Sequence, residues 1–193
     1  MDNPLIIYLQ SLHSITEQEK KMIDASFEYR SVKEGDYLYR GEKICHELFF
    51  ICKGVLKIVK TNDKGVALTH FFLKENQFCT ILHSFDNELT AEESIMAACD
   101  ADVMVITRKK LLTLYEQLPY MQELINRITQ QRLLDKIQTR NNYLGKDAAT
   151  RYQLFVTQQA DIALRVSLGD IASYLEITPQ SLSRIRKGML DNR

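Results

Sequence analysis

The stretch EITPQSLSRIRKG, residues 176–188, holds the side chains best suited to chemistry with another molecule. Gln180, Arg184 and Lys187 are spaced four and three apart, so on a helix they share one face. A long amide or a guanidinium can make paired hydrogen bonds to the edge of a base, while ammonium groups and hydroxyls hold phosphates. Three basic residues follow Glu176 here and no acid does. Leu182, Ile185 and Met189, three and four apart, point the other way, toward a core. An ordinary surface helix could divide its faces in the same manner, so the elements around it have to decide.

The residues just upstream complete helix-turn-helix grammar. Ser167 is an N-cap, with Asp170 three residues on. LGDIASYL then predicts a short helix that buries Ile171 and Leu175, with small Ala172 where a second helix can cross closely. EIT is the turn, with Ile177 as an inward plug. Thr178 caps the second helix, and Pro179 takes its first position, where a missing N–H costs nothing.

What must position this motif is read from the rest of the 193 residues. The chain is 45% hydrophobic with 7 Gly and 3 Pro, a globular composition long enough for one large domain or two small ones. No apolar run reaches the length of a transmembrane helix, and MDNPLIIYLQSLHS lacks the basic start of a signal peptide. Cys45, Cys52, Cys79 and Cys99 have no zinc-type spacing and read as reduced thiols, which points to the cytoplasm. Lys plus Arg and Asp plus Glu both number 25, so global charge argues for no partner. Locally, residues 150–193 carry six basic and four acidic side chains, and the acid-free basic patch lies at 180–189.

Hydrophobic periodicity changes twice along the chain. Residues 3–28 read as short helices, with Ile15, Met22, Ile23 and Phe27 apolar and a capping box of Thr16 with Glu19. From 29 to 107 short strands alternate with turn signals such as KEGD, CKG and NDKG, the last a hairpin turn at 62–65. Lys57 and Lys60 are expected to face outward from one of these strands. Strands without intervening helices argue for an antiparallel sandwich or roll. Then RKKLLTLYEQLP reads as a short helix stopped before Pro119. The next 25 or so residues lack Gly and Pro and carry Met121, Leu124, Ile125, Ile128, Leu134 and Ile137 at helical spacing. Such a stripe either packs along its own sheet or forms a dimer seam. The seam is favoured, because Gln130 and Gln131 interrupt a purely internal stripe, and Met121, Leu124, Ile125 and Ile128 are its expected contacts. A further helix, KDAATRYQLFVTQQ, presents Tyr152, Phe155 and Val156 on one face.

Strand roll, long helix and terminal helix-turn-helix, in that order, resemble the Crp/Fnr family of bacterial transcription regulators over nearly the whole chain. The matching segments are VKEGDYLYRGE (32–42), ELFFICKGVLKIVKTNDKGVALTHFFLKENQF (47–78) and SLGDIASYLEITPQSLSRIRK (167–187). The resemblance implies an α+β chain with an antiparallel β-roll (double-stranded β-helix) sensor domain, a long dimerisation helix and a C-terminal helical DNA-binding domain. The expected divisions fall at 1–109, 110–144 and 145–193. It implies an Arg that reads guanine at Arg184 and a base contact at Gln180. It also implies phosphate contacts at Ser167, Thr178, Ser181 and Lys187. The implied partners are a second copy of the chain, double-stranded DNA with a roughly two-fold site, RNA polymerase and an unidentified small-molecule effector. No membrane is implied.

Three departures from the family pattern matter. Glu176 stands where the turn usually has Gly, and a left-handed backbone there costs a non-Gly residue about 1 kcal/mol. Little chain follows Gly188, so a β-wing is expected to be short or absent. The nucleotide site is also altered. Thr80-Ile81 falls where the family's cyclic-nucleotide binders have Gly-Glu, and Ala91-Glu92, or Glu93 and Ser94, falls where they have Arg-Ser or Arg-Thr. No Arg or Lys lies between Lys74 and Arg108, so a cyclic phosphate would meet Glu92 and Glu93 without a cation. The expectation is a degenerate pocket that does not take cAMP or cGMP.

No cofactor is expected. The cysteines do not cluster for an iron–sulfur centre, and His70, His83 and Cys79 are isolated candidates for a haem ligand. A cupin-type enzyme would need a close H-x-H pair, and His13, His46, His70 and His83 form none. Nucleophile-elbow, phosphate-loop and dinucleotide patterns are missing too, so the chain does not read as an enzyme. The remaining alternative is a ligand-binding or haem-sensing roll whose C-terminal helices only pack or bind a partner.

Overall fold

The short alternating runs of residues 28–107 close into two antiparallel four-stranded sheets in the computed structural model, which describes residues 3–62 and 65–191, the last two by backbone alone. The strands are β1 (Glu28–Val32), β2 (Tyr37–Tyr39), β3 (Lys43–Ile44), β4 (Glu47–Lys53), β5 (Leu56–Thr61), β6 (Ala67–Leu73), β7 (Phe78–Cys79), β8 (Thr90–Ala91), β9 (Glu93–Ala97) and β10 (Ala101–Thr107). One sheet has the order β1-β10-β4-β7, the other β2-β9-β5-β6, and β3 pairs with β8 across one end. Alternate residues of facing strands fill the interior: Phe49 and Ile51 from β4, Leu56 from β5, Ile95 from β9 and Val103 from β10. The β5–β6 hairpin turns through Asn62 and Gly65, with Gly65 N–H donating to Asn62 O at 2.9 Å and Gly65 at φ 75°. Asp63 and Lys64 of the expected turn lie outside the described residues.

Nine helices occur among the described residues: α1 (Pro4–Gln10), α2 (Glu17–Ser26), α3 (Leu82–Asn87), α4 (Arg108–Gln117), α5 (Tyr120–Tyr143), α6 (Ala148–Gln158), α7 (Ala160–Ala163), α8 (Leu168–Tyr174) and α9 (Pro179–Asp191). The capping box is present, since Thr16 accepts from Glu19 N–H while the Glu19 carboxylate accepts from Thr16 N–H. α1, α2, α4 and the first half of α5 cover the outer face of the β1-β10-β4-β7 sheet, where Leu5, Leu9, Ile23, Phe50 and Leu114 are buried together. The helix expected over KDAATRYQLFVTQQ is α6, and a further short helix, α7, follows it before Arg165. The two are separated at Gln159 (φ −129°, ψ 41°), whose side chain reaches the hydroxyls of Tyr143 and Tyr174 at 3.3 and 3.4 Å.

A third core joins the C-terminal helices to the roll. Phe155, Ile162, Ile171, Ala172, Leu175 and Leu182 pack with Val55, Phe72 and Ala98 of the strand domain. Phe72 stands opposite Lys57 in the β5–β6 ladder, so this contact uses the outer face of the second sheet.

Candidate nucleic-acid interface

The helix-turn-helix is built as its residue types dictate. Ser167 Oγ accepts from Asp170 N–H at 3.1 Å and donates to the Asp170 carboxylate at 2.9 Å. Thr178 Oγ1 accepts from Ser181 N–H at 3.1 Å and contacts Ser181 Oγ at 3.0 Å, while Pro179 begins α9. In the turn, Ile177 N–H donates to Ala172 O at 2.9 Å, which draws Ile177 toward the core. Ala172 and Leu182 are both fully buried where α8 and α9 cross. Of the three residues expected on the inner face of α9, Leu182 is buried, and Ile185 and Met189 are half-buried.

Glu176 keeps the left-handed backbone at φ 55°. The turn is therefore retained at the expense of strain in a non-Gly residue. Glu176→Gly should raise stability by about 0.5–1 kcal/mol. The relieved left-handed penalty is about 1–2 kcal/mol, and the greater freedom of an unfolded Gly offsets part of it. A shift of the urea midpoint at unchanged slope reads this out.

Gln180, Arg184 and Lys187 are exposed on one face of α9. Neither Arg184, Arg186 nor Lys187 makes an ion pair among the described residues. Ser167, Thr178 and Ser181 sit at the two helix starts, where their hydroxyls serve as caps. Arg184 and Lys187 can thus offer donors to an anionic partner without first breaking an ion pair of their own, whereas the hydroxyls of Ser167 and Thr178 already donate to Asp170 and Ser181.

The side of α8 away from α9 docks on the roll. Lys57 Nζ lies 2.5 Å from the Asp170 carboxylate, with both side chains mostly buried. Thr69 N–H donates to Ser173 Oγ at 2.8 Å. Arg165 grips Glu75 with two hydrogen bonds, at 2.5 and 3.1 Å, and Lys74 pairs with Asp161 at 2.6 Å. Burial pushes the Glu75 carboxyl up, but its hydrogen bonds from Arg165 and from Gly54 N–H outweigh that and hold it below the usual carboxylate range. Lys57 faces outward from its strand as expected, yet α8 covers it. Sequence spacing gives the face of a strand and not what lies upon it.

The residues expected at the altered nucleotide site are engaged within the roll. Thr80 and Ile81 lie between β7 and α3, both mostly buried, with Thr80 Oγ1 donating to Glu47 O at 2.9 Å. Ala91 is buried in β8, and Ser94 Oγ accepts from Gly41 N–H at 2.9 Å. Glu92 is not without a cation, because Lys60 of the neighbouring strand lies 2.7 Å away. That partner was invisible in the linear count, since antiparallel pairing sets Lys60 opposite Glu93. A small pocket of about 30 Å³ beside Thr80, between the roll and α5, is lined by none of Ile81, Ala91, Glu92, Glu93 or Ser94.

Met121, Leu124, Ile125 and Ile128 face their own roll and are buried there. The exposed apolar side of α5 lies one to three turns further on, at Leu133, Leu134 and Ile137. The four named as seam contacts are thus taken up by the chain's own core, because α4 and the first sheet cover that half of the helix. The thiols are free, with Cys45 and Cys79 buried and burial raising Cys79 to about 12. No cluster of metal-ligating side chains occurs among the described residues, and no helix there is long and apolar enough to cross a membrane.

Residues 29–118 match the family of the cyclic nucleotide-binding domain. No match was found among curated protein sequences. Among solved structures the chain is similar to a transcriptional regulator of the Crp/Fnr family from Eubacterium rectale, at 19% identity over 95% of this chain and 88% of that one, with a TM-score of 0.73. It is similar to the c-di-GMP-responsive global regulator CLP of Xanthomonas campestris, at 16% identity over 92% and 93% of the two chains and a TM-score of 0.71. FixK2 of Bradyrhizobium japonicum matches at 16% identity over 86% and 85%, with a TM-score of 0.72.

Proposed function

We propose, from the cyclic nucleotide-binding-domain family of residues 29–118 and the Crp/Fnr fold of the chain, that this protein is a DNA-binding transcription regulator. The observation that carries the reading is the exposed face of Gln180, Arg184 and Lys187 on the second helix of a capped helix-turn-helix, free of internal ion pairs among the described residues. Arg184 and Gln180 read base edges in the major groove, and Lys187 with the cap hydroxyls of Ser167, Thr178 and Ser181 holds phosphates. RNA polymerase is the natural further partner of such a regulator. Selection of bound sites from random duplex DNA tests the reading. It should return a roughly two-fold sequence whose affinity falls with salt, unchanged by added cAMP, because Thr80-Ile81 and Ala91-Glu92 stand where cyclic-nucleotide binders carry Gly-Glu and Arg-Ser. Recovery of no sequence preference would leave α9 as a packing helix.

The regulator acts as a homodimer joined along the free side of α5. Leu134 and Ile137 are exposed one turn apart and continue the stripe that the roll covers further up. Leu134→Glu with Ile137→Glu should weaken the dimer about 100-fold or more, since burying each such side chain contributes about 1.5–3 kcal/mol. Sedimentation equilibrium then finds monomer where the parent chain is dimeric.

A further inference from the structure

A cleft of about 680 Å³ opens where β6, the C-terminal end of α5 and the turn of the helix-turn-helix meet. It is separate from the filled interior of the roll. Lys136, Arg140, Lys146 and Arg151 line it, with Glu176 as the one carboxylate in its wall. None of the four cations makes an ion pair among the described residues. Asp147, the acid nearest Arg151 in sequence, is occupied in capping α6 through Thr150 N–H at 2.7 Å. The Arg151 Nε is buried and donates to no partner among the described residues. The Lys136 ammonium lies 4.6 Å from the Phe71 ring. Burial pulls Lys136 below its ordinary range, as expected for a cation that faces no carboxylate.

Four cations gathered around one concavity with a single acid repel one another, and a buried guanidinium N–H without an acceptor is costly. Folding does not remove that cost, so a ligand that supplies negative charge and acceptors gains from it. The volume lies within the range of small-molecule sites. Guanidinium forks match phosphate oxygens, and Tyr143, Tyr174 and Phe71 line the same cleft with flat apolar surface. We infer that this cleft binds a small organic phosphate, with the phosphate on Lys136, Arg140 and Arg151 and the body against the aromatic rings. Such a ligand touches the roll, the long helix and residues 173–177 at once, so it holds α8 in its docked place. That coupling rests on reading α8 and α9 as the DNA reader, but the binding itself does not.

Thermal unfolding with millimolar pyrophosphate, and calorimetry with pyrophosphate and GMP, test the site on the full chain. Pyrophosphate should raise the midpoint, and GMP should bind at least tenfold tighter through the rings. Lys136→Gln with Arg151→Gln should abolish both effects, while Arg184→Ala with Lys187→Ala should keep them. Loss in the second pair alone would place the anion on α9 and overturn the cleft site. No pyrophosphate shift, or one that survives the first pair, would also overturn it. Equal affinities for pyrophosphate and GMP would overturn the organic part. Folding of the first pair is checked without ligand: removing unpartnered cations should leave its midpoint equal to or above the parent's. A lower midpoint would show that these cations are already satisfied within the fold, against the inference.

Discussion

Arg184→Ala should bind the best selected duplex about 5- to 150-fold more weakly than the parent chain, a loss of about 1–3 kcal/mol. Its preference at the base pair facing Arg184 should also relax. Arg184 is exposed, lies on the same face as Gln180 and Lys187, and has no ion pair to surrender on binding among the described residues. Lys187→Ala should differ in kind: a near-uniform weakening on all sequences, with the slope of log affinity against log salt reduced by about one. Fluorescence anisotropy on specific and scrambled duplexes, over a salt series, separates the two. Equal binding by Arg184→Ala and the parent would remove base reading from this helix.

Phe155→Ala should destabilise the fold by about 3–5 kcal/mol, the usual cost of emptying a buried aromatic site. Phe155 is fully buried, with ring centroids 6.2 Å from Phe72 of the roll and 5.5 Å from Tyr174 of α8. Its loss therefore strikes the joint between the two halves rather than either interior. Chemical denaturation should show the C-terminal helices unfolding at lower urea, while the roll, whose core centres on Phe49, Ile51 and Leu56, keeps its own transition. A single cooperative transition at the parent midpoint would contradict this.

Much of the helix-turn-helix was legible in the residues because its devices are local. The caps at Ser167 and Thr178, Pro179 at the start of α9, small Ala172 and the plug at Ile177 act within about a dozen residues. The two changes of period, near 29 and 108, mark where strands begin and end for the same reason. What escaped was long-range. A stripe of Met121, Leu124, Ile125 and Ile128 declares an apolar face but not whether the roll or another chain covers it. Lys60 beside Glu92 depends on strand register, and Lys57 beside Asp170 joins residues 113 apart. The cationic cleft is the extreme case, since its walls come from β6, α5, α6 and the turn, and no local pattern marks it.

The seat of α8 on β6 has one more consequence. β6 is the last strand of its sheet and pairs only with β5. Ser173 Oγ accepts from Thr69 N–H on its open side, where another strand would otherwise pair. An uncovered strand rim is a template for adding a stranger's backbone, and proteins protect such rims with helices or charge. The helix-turn-helix thus serves as a guard for the roll. Were α8 to leave this seat, the seven residues of β6 would become a place where two molecules can zip together. Dwelling in that open posture carries an aggregation hazard that occupancy of the seat suppresses.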